Sequence, residues 1–199
     1  MLIFITSACF YPPFLMDLDV IESPAESEGS DQVEGDIPAG YAVFSANGVE
    51  VTLPSYYILG DIGTAIQSLS GTDAAFFLQI AQDNQLEPVL WAYSAETHLV
   101  VLKNETYAGM PLAVVAPVVS AMMGDTVESL VQDRISLGER EAVRYQTTTQ
   151  GAETESAQVT YIFNDSDQLW VLAFLSSASQ IEGSLAAFDA ATASFTVVE

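Results

Sequence analysis

QVTYIFNDSDQLWVLAFLSSASQIEGSLAAFDAATASF, residues 158–195, holds two strands and a helix in one readable run. Val159 to Phe163 and Leu169 to Leu175 are apolar runs separated by the polar tetrad Asn164-Asp165-Ser166-Asp167, a pattern that predicts a hairpin. The second run is apolar on both faces, Val171, Ala173 and Leu175 against Trp170, Leu172 and Phe174, which suits a central strand covered on both sides. Beyond it, Ile181, Leu185, Phe188, Thr192 and Phe195 recur at helical spacing and mark one face of a helix. Ser179 and Glu182 have the spacing of a capping box at its start. The module is a scaffold and carries no evident chemistry.

The 199 residues, half of them apolar, suffice for one domain with a sizeable core. Their charge is lopsided: 27 Asp and Glu stand against four basic residues, for a formal net charge of −23. Such a surface repels phosphate backbones and anionic headgroups, which argues against nucleic-acid binding and against electrostatic attachment to a membrane. A charge-steered partner should be cationic, although the same charge would also serve simply to keep an apolar protein soluble. A single cysteine excludes an intramolecular disulfide.

Upstream of the module the chain reads as antiparallel structure with helices. Tyr41 to Ala46, Asn47-Gly48 and Val49 to Leu53 give the strongest hairpin signal, with Pro54 ending the second strand. Ile62, Ala65, Ile66 and Leu69 fit a short helix stopped by Gly71. A second helix capped by Thr72 or Asp73 is expected through Ala74, Phe77, Ile80 and Ala81, with Pro88 as punctuation. Val89 to Ser94 and His98 to Leu102 read as another hairpin. Met110 to Met123 is apolar but too short to span a bilayer, so a buried helix is expected, with Pro111 in its first turn and Pro117 kinking or splitting it. Val131, Ile135 and Leu137 belong to a strand, Gly138-Glu139 to a turn, and Arg140 to Thr149 to the returning strand.

The first 39 residues differ in kind. Ile5-Thr6-Ser7-Ala8-Cys9 looks like the end of a bacterial lipoprotein signal, in which small residues precede a cysteine that becomes lipid-modified. Residues 1–9 are expected to be a truncated signal of this type, its upstream half lying before Met1, and the competing reading is a short apolar terminus with an incidental cysteine. Asp17 to Asp36 carries eight acids and no base, so residues 10–39 are expected to be a disordered acidic tether. From Cys9 to Gly40 it would reach on the order of 30 Å. The folded domain is expected over residues 40–199.

Residues able to do chemistry are scarce. His98 is the only histidine, which removes His-rich metal sites and leaves one possible catalytic base, expected at a hairpin turn. No nucleophile elbow, phosphate loop, zincin motif or Cys-x-x-Cys is present. Asp165 and Asp167 are weak candidates for a hard cation such as calcium, but the following glycine and distant glutamate of a full calcium loop are missing, and a hairpin turn favours the same residues. Arg140 and Arg144 share a strand face and are expected to pair with carboxylates. Tyr56, Tyr57, Trp91 and Tyr107 would line a groove or fill the core.

The element order resembles the PsbP, Mog1 and DcrB-like group, especially its bacterial PsbP-related lipoproteins. The residues that carry the resemblance are Gly40-Tyr41, Val51-Thr52-Leu53-Pro54, the turn from Leu137 to Ala142, and Ala193-Ser194-Phe195. It covers about Gly40 to Glu199 and implies an α+β domain, an antiparallel β-sheet flanked by helices as an α/β/α sandwich. It also implies a binding or assembly factor, as in photosystem II accessory subunits, a Ran-binding protein and envelope lipoproteins, with no shared catalytic residues. The metal-ligand histidines of some PsbP proteins have no matching position here.

The resulting expectation is a non-catalytic extracytoplasmic lipoprotein, anchored to the membrane through lipid on Cys9 and displaying a module that binds a protein or small molecule. No cofactor and no nucleic acid are expected. The alternatives are a soluble intracellular adaptor of Mog1 type and a hydrolase using His98 with a nearby serine.

Overall fold

A computed structural model of the protein describes residues 37–62, 85–123, 129–150 and 155–198. Cys9, the acidic run and, beyond Ile62, the two helices expected before Gln85 lie outside these residues. In chain order the elements are β1 (Tyr41–Ala46), β2 (Val49–Pro54), β3 (Ile58–Gly60), β4 (Leu86–Tyr93), β5 (Thr97–Asn104), α1 (Leu112–Met123), β6 (Ser129–Leu137), β7 (Arg140–Gln150), β8 (Glu155–Asp165), β9 (Gln168–Ser177), α2 (Ala178–Ala193) and β10 (Thr196–Val197).

Seven strands form one antiparallel sheet in the order β3-β4-β5-β9-β8-β7-β6. β9 is its middle strand, as its two apolar faces require. On one face Leu172 and Phe174 join Tyr161 and Phe163 of β8 and Val101 of β5 beneath Ile181, Phe188 and Ala191 of α2. On the other, Val171 packs with Ile162, Val143 and Tyr145 beneath Val115 and Ala116 of α1. The Tyr145 hydroxyl donates to the Ala116 carbonyl at 2.7 Å. The architecture is therefore α+β, an antiparallel sheet between helices.

A smaller sheet, β1-β2-β10, leans against the same face as α2. Its buried residues Val49, Val51 and Leu53 belong to the α2 core. Pro88, expected to punctuate a helix, instead lies inside β4 at an irregularity where Pro88 pairs with Leu102 and Leu90 with Val101. A proline has no N–H for a ladder, so a bulge is where a strand tolerates it. The bulge leaves Val89 without a ladder partner on β5. Its carbonyl accepts from Asn47 Nδ2 at 2.7 Å, which ties the β1–β2 turn to the main sheet.

Two arginines fasten α2 to the sheet. Arg144 on β7 grips Asp189 of α2 with bonds of 3.1 and 3.0 Å and Asp133 of β6 at 3.1 Å, while the Tyr161 hydroxyl donates to Asp189 at 2.6 Å. Burial opposes the charge of Arg144, but the two aspartates outweigh it and raise its pKa. Arg140 pairs with Asp165 and also donates to the carbonyls of Thr192 and Phe195 at 3.3 and 3.1 Å, a cation at the negative end of a helix. Its guanidinium lies 4.6 Å over the Phe163 ring.

The helix ends differ from expectation. β9 stays paired with β8 through Ser177, so α2 starts at Ala178 and Ser177 holds the cap position without a side-chain capping bond. The Ser179–Glu182 capping box is thus displaced, and Ser179 Oγ sits 3.2 Å from Ser177 Oγ. At the other end Ser194 is the cap and Phe195, fully buried, lies just past the helix. α1 continues through Pro117, and Pro111 precedes it, accepting from the N–H groups of Val114 and Val115.

Phe174 is fully buried and stacks on Phe188 at 4.3 Å, whereas its neighbour Leu175 is 40% exposed on the opposite face. Phe174→Ala should cost about 3–5 kcal/mol and Leu175→Ala less than about 1 kcal/mol, read from urea unfolding. Asn47-Gly48 and Ser166-Asp167 both turn with positive φ, 47° and 78° against 50° and 57°. Only the first has the residues that conformation favours. Giving the second hairpin Ser166→Asn with Asp167→Gly should raise stability by about 1 kcal/mol, seen as a higher urea midpoint with unchanged slope.

Candidate functional site

Where β2 ends, Pro54 closes a turn: the Tyr57 N–H donates to the Pro54 carbonyl at 3.0 Å. The turn points Tyr57 inward and leaves Tyr56 outside, 69% exposed, with the two rings stacked at 5.3 Å. Facing them is the loop between β4 and β5. Ser94 Oγ accepts from the N–H groups of Glu96 and Thr97 at 3.3 and 3.1 Å, so the loop is held by a serine-centred turn. The third wall is the flank of α2, with Ser179, Gln180, Gly183, Ser184, Ala187 and Ala191. Together they enclose a cleft of about 330 Å³ whose floor is Leu53, Phe174 and Phe188.

The cleft is wide because the α2 residues facing it are small. Gly183 is the clearest case: a Cβ added there would meet nothing within 4 Å. A glycine inside a helix costs about 1 kcal/mol relative to alanine, and neither φ nor close packing requires one at this position.

The polar groups of the cleft form a chain. The Tyr57 hydroxyl is hydrogen-bonded to Thr97, and burial pushes its pKa up to about 12, so it carries its proton at neutral pH. Thr97 Oγ1 donates to Ser176 Oγ at 3.5 Å, and Ser176 Oγ donates to the Glu96 carbonyl at 3.2 Å or Gln180 Oε1 at 3.4 Å. The lining supplies hydroxyls, an amide, a carboxylate and four aromatic rings, but no His, Cys, Lys or Arg. That chemistry can hold a ligand, and it contains no nucleophile with an adjacent base.

The sequence-derived candidates lie elsewhere. Cys9 is outside the described residues. Asp165 is engaged by Arg140, Asp167 is exposed in the turn, and among the described residues no three His, Cys, Asp or Glu side chains group as for a metal ion. His98 is not in the turn but is the second residue of β5, and strand alternation sends it to the face opposite Thr97 and the cleft. There it stacks with Trp91 and Tyr93, 6.1 Å from each ring. Gly60 on the neighbouring strand accommodates Trp91, since a Cβ there would come within 2.3 Å of the indole. Of the four aromatics expected to line a groove or the core, Tyr56 and Tyr57 line the cleft, while Tyr107 packs against the α1 core.

Sequence reasoning missed Ser94, Glu96, Gly183 and Ser184. The one available signal was the run of small residues at 183, 184, 187 and 191, on a flank of α2 beside its apolar stripe.

No family model matches the chain, and no curated protein does. Among solved structures the chain is similar to a protein of Bacteroides thetaiotaomicron VPI-5482, with a TM-score of 0.47 and 10% identity over 76% of this chain and 46% of that one. It is similar to cyanobacterial PsbP from Synechocystis sp. PCC 6803, with a TM-score of 0.46 and 13% identity over 83% and 97% of the two chains. It is also similar to PA94, a Pseudomonas aeruginosa protein of unknown function, with a TM-score of 0.44 and 10% identity over 81% and 98%. The chain spans less than half of the Bacteroides protein and nearly all of the other two. PsbP, which the sequence resemblance names, is one of the structures to which the chain is similar.

His98 is exposed along one side, yet partial desolvation lowers its pKa from 6.5. A base with a depressed pKa binds fewer protons folded than unfolded, so its contribution to stability is present above pH 6.5 and lost as pH falls below it. As the only histidine, its imidazole resonance is unambiguous by NMR. It should titrate below 6.5, and Trp91→Ala should move the midpoint back toward 6.5.

Proposed function

We propose that the domain is a non-catalytic binding module, held outside the cytoplasm by lipid on Cys9, with the cleft beside Tyr56 and Tyr57 as its ligand site. The observation that carries the reading is the cleft itself. It combines an exposed aromatic ring, a fixed chain of hydroxyls and a helix flank kept open by Gly183 at a cost to helix stability. Ligand sites join apolar walls to a few placed polar groups in this way. The anchor half of the proposal is supported by Ser7-Ala8-Cys9 and by the acidic run that would separate the lipid from the domain.

Each half has its own experiment. Mass spectrometry of the native protein should find the mature chain beginning at a lipid-modified Cys9 in the membrane fraction, and an unmodified cysteine in the soluble fraction would sink the anchor. For the cleft, amide NMR with small uncharged polar fragments should shift Thr97, Gly183, Ser184 and Ala187 as a group. Gly183→Leu fills the opening while improving helix propensity, so it should abolish those shifts without loss of fold. Fragment shifts that persist in this variant, or that gather elsewhere, would place the ligand site away from the cleft.

A further inference from the structure

Resting on the reading of the cleft as a binding site, we propose that its occupant presents a protonated amine or a guanidinium, seated between the Tyr56–Tyr57 pair and the Glu96 carboxylate. The lining is charged in one sense only: Glu96 stands among the hydroxyls of Tyr56, Tyr57, Ser94, Thr97 and Ser184, with no Lys, Arg or His among the described residues beside them. A cation there meets a carboxylate and hydroxyl oxygens, whereas an anion would meet the carboxylate with no basic side chain to offset it.

Glu96 supplies the charge. Its N–H is bonded to Ser94 Oγ and its carbonyl accepts from Ser176 Oγ, so the backbone is pinned on both sides. Its carboxylate makes no ion pair with a described residue. Lys103, Arg140 and Arg144 are each paired with other acids. The exposed Tyr56 ring offers a face for a cation, and the net charge of −23 draws cations toward the surface as a whole.

One feature opposes this. α2 begins beside the cleft, and a helix N-terminus carries roughly half a positive charge. That effect fades within the first turn, however, and the cleft runs along the helix flank from Ser179 to Ala191. A full carboxylate at the rim, inside a strongly acidic field, outweighs it.

A free polyamine and a lysine or arginine on a polypeptide share this chemistry. The test is amide NMR on the full chain in about 0.15 M salt, where screening limits long-range attraction. Three probes are used: spermidine, an end-blocked Ala-Lys-Ala peptide, and the same peptide with the lysine acetylated. The two cations should shift Glu96, Thr97, Gly183 and Ser184, and the acetylated peptide should not. Glu96→Gln should weaken the cations about tenfold, and Tyr56→Ala about threefold. Both side chains are exposed, so neither variant threatens the fold. Tighter binding of the peptide assigns the cation to a polypeptide, and tighter binding of spermidine to a free amine. Shifts spread over the acidic surface and unchanged in Glu96→Gln would mean counter-ion adsorption only and overturn the proposal. Equal binding of the acetylated peptide, or silence of the cleft amides toward both cations, would also overturn it. The uncharged fragments decide separately whether the cleft binds anything.

Discussion

The attachment of α2 to the sheet is the constraint on which the remaining structure depends. Two of the four basic residues in the chain are committed to it, Arg144 through Asp189 and Arg140 through the carbonyls at the helix end. The anchors sit about a turn apart along the helix, so they fix its rotation as well as its position. Partly buried ion pairs add little net stability over an apolar contact, but a broken one leaves an uncompensated charge. Their main effect here is orientation: the Ile181–Phe188 stripe goes down, and the flank carrying Gly183 and Ala187 goes to the side.

From that orientation the cleft follows. The helix flank is one wall, the Tyr56–Tyr57 turn another, and both meet over Phe174. The small sheet keeps the tyrosine turn in place. Leu53 is buried in the α2 core immediately before Pro54, and the Thr52 N–H donates to Ser194 Oγ at 2.8 Å. Ser194 Oγ donates in turn to the Ala191 carbonyl at 2.7 Å, so the end of the helix and the strand leading to the cleft share one hydroxyl.

Local features were readable from the chain. The Asn47-Gly48 turn, the Asn164–Asp167 hairpin and the α2 stripe depend on residues a few positions apart, and the central place of β9 follows from its two apolar faces. Pro88 misled because a proline marks a break until a bulge is known to receive it. β10 was invisible, since Thr196 and Val197 form a strand only against Glu50 and Val49. The pairing of Arg144 with a carboxylate was foreseeable, but its choice of Asp189 needed the packed helix. The cleft was the least legible part, because its walls come from segments near residues 56, 96 and 184 and its helix flank is defined by missing side-chain bulk. Small residues generate no periodic signal.

The pairing of β2 with β10 has a kinetic consequence. The Val198 N–H donates to the Gly48 carbonyl at 2.9 Å, joining positions 150 residues apart in the chain. The β1–β2 hairpin can form early from local contacts, yet its buried face stays uncovered until α2 and β10 have been made. During synthesis the domain therefore cannot close progressively from its beginning. It waits, with Val49, Val51 and Leu53 exposed, for the segment after Ala178, so the core beneath α2 closes only when the last elements emerge.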